Sequence, residues 1–259
     1  MRKAVAVWAG AFALGLGILA APAFLSAADA PKKIQALIIT GDEVPSHNWK
    51  EQSEAAKDVL TATGKFEVKV VEGFSILDKK DDLAKFDVIL FMMFNNKKAP
   101  ISDQAKANLV SFVKEGKGFT VYHMSTACFG DWKEWNDMCG RYWARGNKNK
   151  EENSGHGKRS EFESKIVDKD SPITKGLKDF KTDDELYAKL KGDAKIHVLV
   201  TADSDFSKKT EPMVFTMDYG KGRVFNCAYG HDGKAIKIAP VATMIARGCE
   251  WAATGKVAE

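Results

Sequence analysis

Residues 34–40 (IQALIIT) are a short, nearly continuous apolar run that stops at Gly41. A strand buried on both faces reads this way, because helices cover both sides of a parallel sheet. A helix follows from about Asn48, whose side chain can cap it, to a stop at Gly64. Residues 66–71 (FEVKVV) alternate as a strand, and 86–94 (FDVILFMMF) are the most apolar stretch beyond the N-terminal leader. Residues 102–115 predict a capped amphipathic helix, and 118–124 (GFTVYHM) the next strand. This β-α-β-β-α-β order predicts an α/β fold: a single domain with a mostly parallel twisted sheet flanked by helices. Ligands are then expected where the carboxyl ends of the strands open into loops.

The second half is less regular. Residues 161–167 and 195–202 read as strands, and 213–218 with 223–228 flank a Tyr219-Gly220-Lys221-Gly222 turn, a C-terminal β-hairpin. Residues 238–253 close the chain as an apolar-faced helix. Residues 147–160 (NKNKEENSGHGKRS) are polar and glycine-containing, and are expected to form a long mobile loop beside the working edge of the sheet.

At the other end, Arg2 and Lys3 precede an apolar run at 4–25 and small residues at 26–30, the order of a secretory signal peptide. Residues 1–30 are therefore read as a cleaved leader and 31–259 as one domain in the periplasm or secreted, without stable membrane insertion. An uncleaved N-terminal anchor is the minor alternative, since the run is close to spanning length.

The 259 residues are 44% hydrophobic and 29% charged, the proportions of an ordinary globular domain, which excludes collagen-like, disulfide-scaffold and disordered chains. A body of this size needs no metal or disulfide to stay folded, so a bound metal would serve function. Thirty-nine Lys plus Arg against 35 Asp plus Glu give +4, scattered along the chain, and no nucleic-acid partner is expected. Of the four cysteines, Cys128 and Cys139 are the expected pair if any forms in an oxidising compartment, with buried free thiols the equal alternative; Cys227 and Cys249 read as packing.

Three histidines fall where apolar strands end: His47, His123 and His231. Imidazoles on one rim offer either acid/base groups titrating near neutrality or ligands for a divalent metal, zinc being favoured by such donors. His156, in the polar loop, and His197, inside a strand, carry no such expectation. His123 stands where many α/β enzymes place a nucleophile, yet no Gly-x-Ser-x-Gly surrounds it, and Cys128 is the only thiol nearby. The acidic run Asp183-Asp184-Glu185 reads as a solvated helix start, with Glu185 as a base or partner for a site histidine. Trp49, Trp132, Trp135 and Trp143 follow strand ends, where rings suit sugar faces, although Trp132 and Trp135 at helical spacing also fit a core. Asn48, Trp49, Trp132 and Asp232 are the expected substrate contacts.

The segments ALIITGDEVPSHNW, FDVILF, GKGFTVYH, WNDMCGRYW, SPITKGL, DELY, EPMVFTMDYGKGRVFNCAYGHD and ARGCEWAATGK together resemble the trehalose-utilisation (ThuA-like) domain family. That resemblance implies a fold akin to class I glutamine amidotransferases and to flavodoxin, without the amidotransferase cysteine, and a role in carbohydrate metabolism, including oxidised (keto) sugars. His47, His123, Glu185 and His231 match the family pattern. Members often carry further histidines just after the segment equivalent to Gly140-Arg141-Tyr142-Trp143 and before Pro-Ile-Thr, where this chain has Arg145 and Ser171-Pro172. The expectation is an exported protein processing a small-molecule sugar or keto-glycoside, with His47, His123, Glu185 and His231 as catalytic residues, unaided or assisted by a divalent metal. Its rival is a non-catalytic sugar-binding or scaffold domain; a homo-oligomer is compatible with either.

Overall fold

The computed structural model describes Met1, Ala4 and residues 32–258. Lys33–Glu259 form one compact unit. Apart from Met1 and Ala4, the leader read at 1–30 lies outside the described residues. Among the described residues no helix is long and apolar enough to cross a membrane.

The chain runs β1 (Ile34–Thr40), α1 (Trp49–Ala62), β2 (Phe66–Glu72), α2 (Lys80–Leu83), β3 (Val88–Phe91), α3 (Asp103–Lys114), β4 (Gly118–Tyr122) and α4 (Lys133–Cys139). Then come β5 (Gly155–His156), β6 (Ser160–Ile166), β7 (Phe180–Asp184), β8 (Tyr187–Ala188), β9 (His197–Ser204), β10 (Lys209–Tyr219), β11 (Gly222–Cys227), α5 (Gly233–Lys237) and α6 (Ala239–Thr254). The main sheet has nine strands in the order β2-β1-β3-β4-β11-β10-β9-β6-β7. From β2 to β11 all neighbours are parallel; from β11 to β7 all are antiparallel. The fold is thus α/β with a mixed sheet, parallel in its core.

Burial follows from the two-residue period of the strands. Ala36 and Ile38 of β1 face a core completed by α1 and α6, while Leu37 and Ile39 face the opposite core, where Leu109, Phe112 and Val113 of α3 pack. The capping oxygens expected from sequence are present: Asn48 Oδ1 accepts from Glu51 N and Ser102 Oγ from Ala105 N.

Three expectations need correction. Cys128 and Cys139 are not bridged: all four thiols are free and buried, in apolar clusters where they act as small hydrophobes. Asp183 and Asp184 end β7 rather than starting a helix, because Phe180 and Thr182 alternate with polar neighbours at strand period. The polar segment 147–160 is not wholly irregular, since it contains a turn of 3₁₀ helix at Lys150–Glu152 and the short β5, which pairs with β8.

Candidate functional site

β4 and β11 are parallel neighbours, with Tyr122 opposite Cys227, so the residues leaving the two strands meet at the same rim. His123 leaves β4 into a single 3₁₀ turn with φ +38°, a left-handed conformation that costs a non-glycine residue roughly 1–3 kcal/mol. The turn is fixed on several sides. Ser125 Oγ donates to Phe91 O (2.8 Å) and accepts from Met93 N (2.9 Å), Thr126 Oγ1 donates to His123 O, and His123 Nδ1–H donates to Ala228 O (2.6 Å). That last bond leaves the Nε2 lone pair of a fully buried ring without a hydrogen-bond partner.

His47 lies in the loop between β1 and α1, where it forms an isolated bridge with Val44. Its Nδ1–H donates to His231 O (3.3 Å), so its Nε2 is also left free to bind. His231 follows Gly230, whose φ of +114° and contact with Tyr122 exclude any side chain: an added Cβ would lie 1.6 Å from Tyr122 Oη. Gln52 of α1 ties this turn down by donating to Gly230 O and His231 O. The His47 ring is 5.2 Å from that of His123 and 4.7 Å from that of His231.

Glu185 arrives from the far end of the antiparallel wing. Its Oε2 lies 3.1 Å from His231 Nδ1 and 3.5 Å from His123 Nε2. Neither approach has the alignment of a hydrogen bond. The adjacent Asp184, buried to 1% exposure, accepts from Gly230 N (2.7 Å), His231 N (3.1 Å) and Glu185 N (2.8 Å), and so anchors both ends of the site.

These contacts set the charges. Burial, reinforced by the neighbouring His123, pushes His47 down to about 4, so it is neutral at pH 7. Burial alone would raise the Glu185 carboxyl, but its contacts with His123 and His231 override this and hold it well below the usual carboxylate range. The same contact with Glu185 raises His231. Donor atoms of His47, His123, Glu185 and His231 all lie within 4.8 Å of one another. Two imidazoles with their Nδ1–H groups tied to carbonyls, plus an ionised carboxylate, are the donor set of a zinc-type centre with its ligands oriented from outside. The unpartnered His123 Nε2 fits such an ion.

The structure brings all four sequence-derived catalytic candidates together and adds residues that sequence reasoning passed over. His156, on β5, pairs with Tyr187 of β8, and its Nε2 reaches within 3.7 Å of Glu185 Oε1. Tyr187 stacks on His123 at 4.2 Å and on His156 at 5.7 Å, with Trp143 edge-on at 4.7 Å. A Gly-His-Gly sequence in a polar loop is the only local signal for His156, and nothing local marks Asp184 above its acidic neighbours.

Two spaces adjoin the cluster. An outer cleft of about 680 Å³ contains His47, Asn48, Trp49, His231 and Asp232. There Asn48 is occupied as the α1 cap, Trp49 Nε1 donates to Glu43, and Asp232 caps α5 and pairs with Arg159 at 2.7 Å. A smaller cavity of about 210 Å³ lies between His47, Glu185, His156, Tyr187, Trp143 and Arg145. Trp132 lines neither: it stacks with the core Trp135 and borders a further groove, which shares Phe94, Ala127, Trp143 and Arg145 with the smaller cavity. Trp132 stands at the N-cap of α4, three residues before Trp135, and Lys106 of α3 lies over its ring at 5.9 Å.

The family profile described as ThuA, trehalose utilisation, matches residues 35–252. A ThuA-like protein from Parabacteroides merdae is 28% identical, with TM-score 0.76 over 88% of this chain and 92% of that one. A ThuA-like protein from Bacteroides uniformis shares the fold at 14% identity and TM-score 0.66, over 92% and 98%. The β-galactosidase of Rahnella sp. R3 shares it at 16% identity and TM-score 0.56, over 86% of this chain but 32% of that one. No curated protein matches the chain in sequence. With a profile covering nearly the whole body, the chain belongs to the ThuA (trehalose utilisation) family.

Proposed function

We propose that this chain is an exported sugar-processing enzyme that employs a divalent cation, zinc by donor type, held by His47, His123, His231 and Glu185. The observation that carries the reading is the convergence of these donors within 4.8 Å, with His123 Nε2 buried and unpartnered. The family description directs it toward a carbohydrate. A keto-glycoside suits the residues, because its carbonyl acidifies the neighbouring C–H and cleavage or isomerisation then proceeds by proton abstraction without a covalent nucleophile.

A cation held by His47, His123, His231 and Glu185 would supply Lewis-acid polarisation of a substrate oxygen. The chain's own residues do the rest. Backbone carbonyls hold His47 and His123 in the tautomer that presents Nε2. Glu185 divides its oxygens, Oε2 toward the cluster and Oε1 toward His156. His156, whose Nδ1–H is fixed by Gly157 O at 2.6 Å, faces the 210 Å³ cavity with Nε2 and is the group placed to exchange a proton with the substrate. Phe94 and Trp143 line that cavity and offer aromatic surface to a sugar.

Metal content after dialysis, paired with turnover of a keto-glycoside, tests the proposal. Expected are close to one cation per wild-type chain, loss in His123→Ala, and activity silenced by a chelator and restored by zinc. An active, cation-free wild type would overturn the metal role. Sugar binding with no turnover would assign the site to recognition.

A further inference from the structure

The small cavity beside the cluster has a second chemistry that the cation reading does not use. Arg145 reaches its mouth from the loop after Trp143, with the guanidinium carbon 4.8 Å over the Phe94 ring and 5.7 Å over the Trp143 ring. Contacts of this kind with aromatic rings leave the guanidinium N–H donors available to a planar acceptor. Among the described residues no carboxylate is paired with Arg145, in contrast to Arg159, which pairs with both Asp183 and Asp232. The single acidic group lining the cavity is Glu185, and its Oε2 is directed to His123 and His231 and its Oε1 to His156.

A cavity of about 210 Å³ lies below the roughly 300–1,000 Å³ typical of drug-sized ligand sites, so it suits one sugar ring. Such a ring would lie along Trp143, with one end at the histidine cluster and the other at Arg145. The Arg145 end offers planar, charge-assisted donors matched to a carboxylate.

Resting on the reading of the cluster as a sugar-processing centre, we infer that the substrate is a sugar acid and that Arg145 recognises its carboxylate. Arg145 is a specificity-determining residue; a neutral sugar leaves its donors to water.

Calorimetric titration of the zinc-loaded protein with D-glucuronate and D-glucose tests this, in wild type, Arg145→Gln and Arg145→Lys. Glucuronate is expected to bind wild type at least about tenfold more tightly, as a charge-assisted pair gives. Arg145→Gln should abolish that preference while changing glucose affinity far less, and Arg145→Lys should restore part of it. Four results overturn the inference. The two sugars bind equally, neither binds, the preference survives in Arg145→Gln because the carboxylate sits on the cation, or the variant weakens both sugars alike because Arg145 is only a packing element. Zinc content measured on the same samples separates the two proposals. A zinc-free protein that still prefers glucuronate through Arg145 defeats the cation alone, and a zinc-loaded protein without the preference defeats the sugar acid alone.

Discussion

Asp184→Asn is the substitution that most directly tests how the site is held. The carboxylate touches no substrate space, yet it accepts from three backbone N–H groups, two at the Gly230-His231 turn and one at Glu185. An amide of the same shape keeps one oxygen. If that oxygen stays toward His231 N and Glu185 N, an NH₂ group faces Gly230 N–H, donor against donor. Two charge-assisted bonds become neutral and one is lost in a place that water does not reach, with Asp184 at 1% exposure. Hydrogen bonds to charged groups contribute about 1.5–3 kcal/mol each and unsatisfied buried donors cost about 1–3 kcal/mol. The turn has little freedom to relax, because Gly230 already packs on Tyr122. A net loss of about 2–4 kcal/mol is expected, and for a chain of this size each kcal/mol lowers Tm by about 2–4 °C. Loss of an outer-shell partner also lowers metal affinity by about 10–100-fold. Thermal unfolding and a competitive zinc titration read the two effects. A variant with wild-type Tm and wild-type zinc affinity would refute the anchoring role.

Further outcomes follow from the same contacts. In the metal-free protein, His47 titrates near 4 against an unfolded value near 6.5, so the unfolded chain takes up the proton first and stability falls as pH drops from about 6.5 to 4. The loss approaches about 3 kcal/mol, and His47→Gln should flatten that part of a pH series of denaturant unfolding curves. His231 has the opposite sign: its raised value adds stability that is complete below about 6.5 and is lost as pH rises through the folded value, so Glu185→Gln should remove a decline on the alkaline side. Four thiols per chain should react with a thiol reagent in denaturant without prior reduction, and almost none in the native protein, where burial also pushes Cys128 and Cys139 well up; a count of two would restore the bridge. His156→Gln should retain zinc but lose about 10²–10⁴ in turnover, whereas loss of zinc would make His156 a ligand.

The parallel half of the fold was legible because each of its strands is a short apolar run closed by a turn residue, and periodicity reports burial there directly. The same reasoning placed His47, His123 and His231 at strand ends, and the structure brings their rings to within 4.7–6.1 Å of one another. The antiparallel wing was harder to read. Strands such as Ser160–Ile166 and Phe180–Asp184 bury alternate residues only, and their register is set by distant partners. Asp184 and Glu185 therefore looked like a solvated acidic run, although the first is a buried backbone acceptor and the second belongs to the cluster. His156 was passed over for a related reason. Its two-residue strand has no pattern of its own and is defined by Tyr187 opposite it, a pairing across more than thirty residues. Trp132 shows the converse limit, because a tryptophan after a strand end is compatible with a rim or a core until the neighbouring helix is placed.

The cluster's geometry is written mainly into the backbone. His123 is aimed by Ala228 O, His47 by His231 O, and His231 and Glu185 by N–H groups on one carboxylate. Two of these partners, Ala228 O and His231 O, belong to the turn after β11, while Asp184 ends β7, and that turn is in place because Cys227 pairs with Tyr122 in the neighbouring strand. A slip of one residue in that register would turn every side chain of β11 to the other face of the sheet, carrying Ala228 and His231 away from His123. The positive φ of His123 is sustained by the same pairing, since its imidazole is held from across the strand boundary. Selection on the site would then fall as heavily on Gly230, Asp184 and Gln52, which hold the turn, as on the imidazoles it presents.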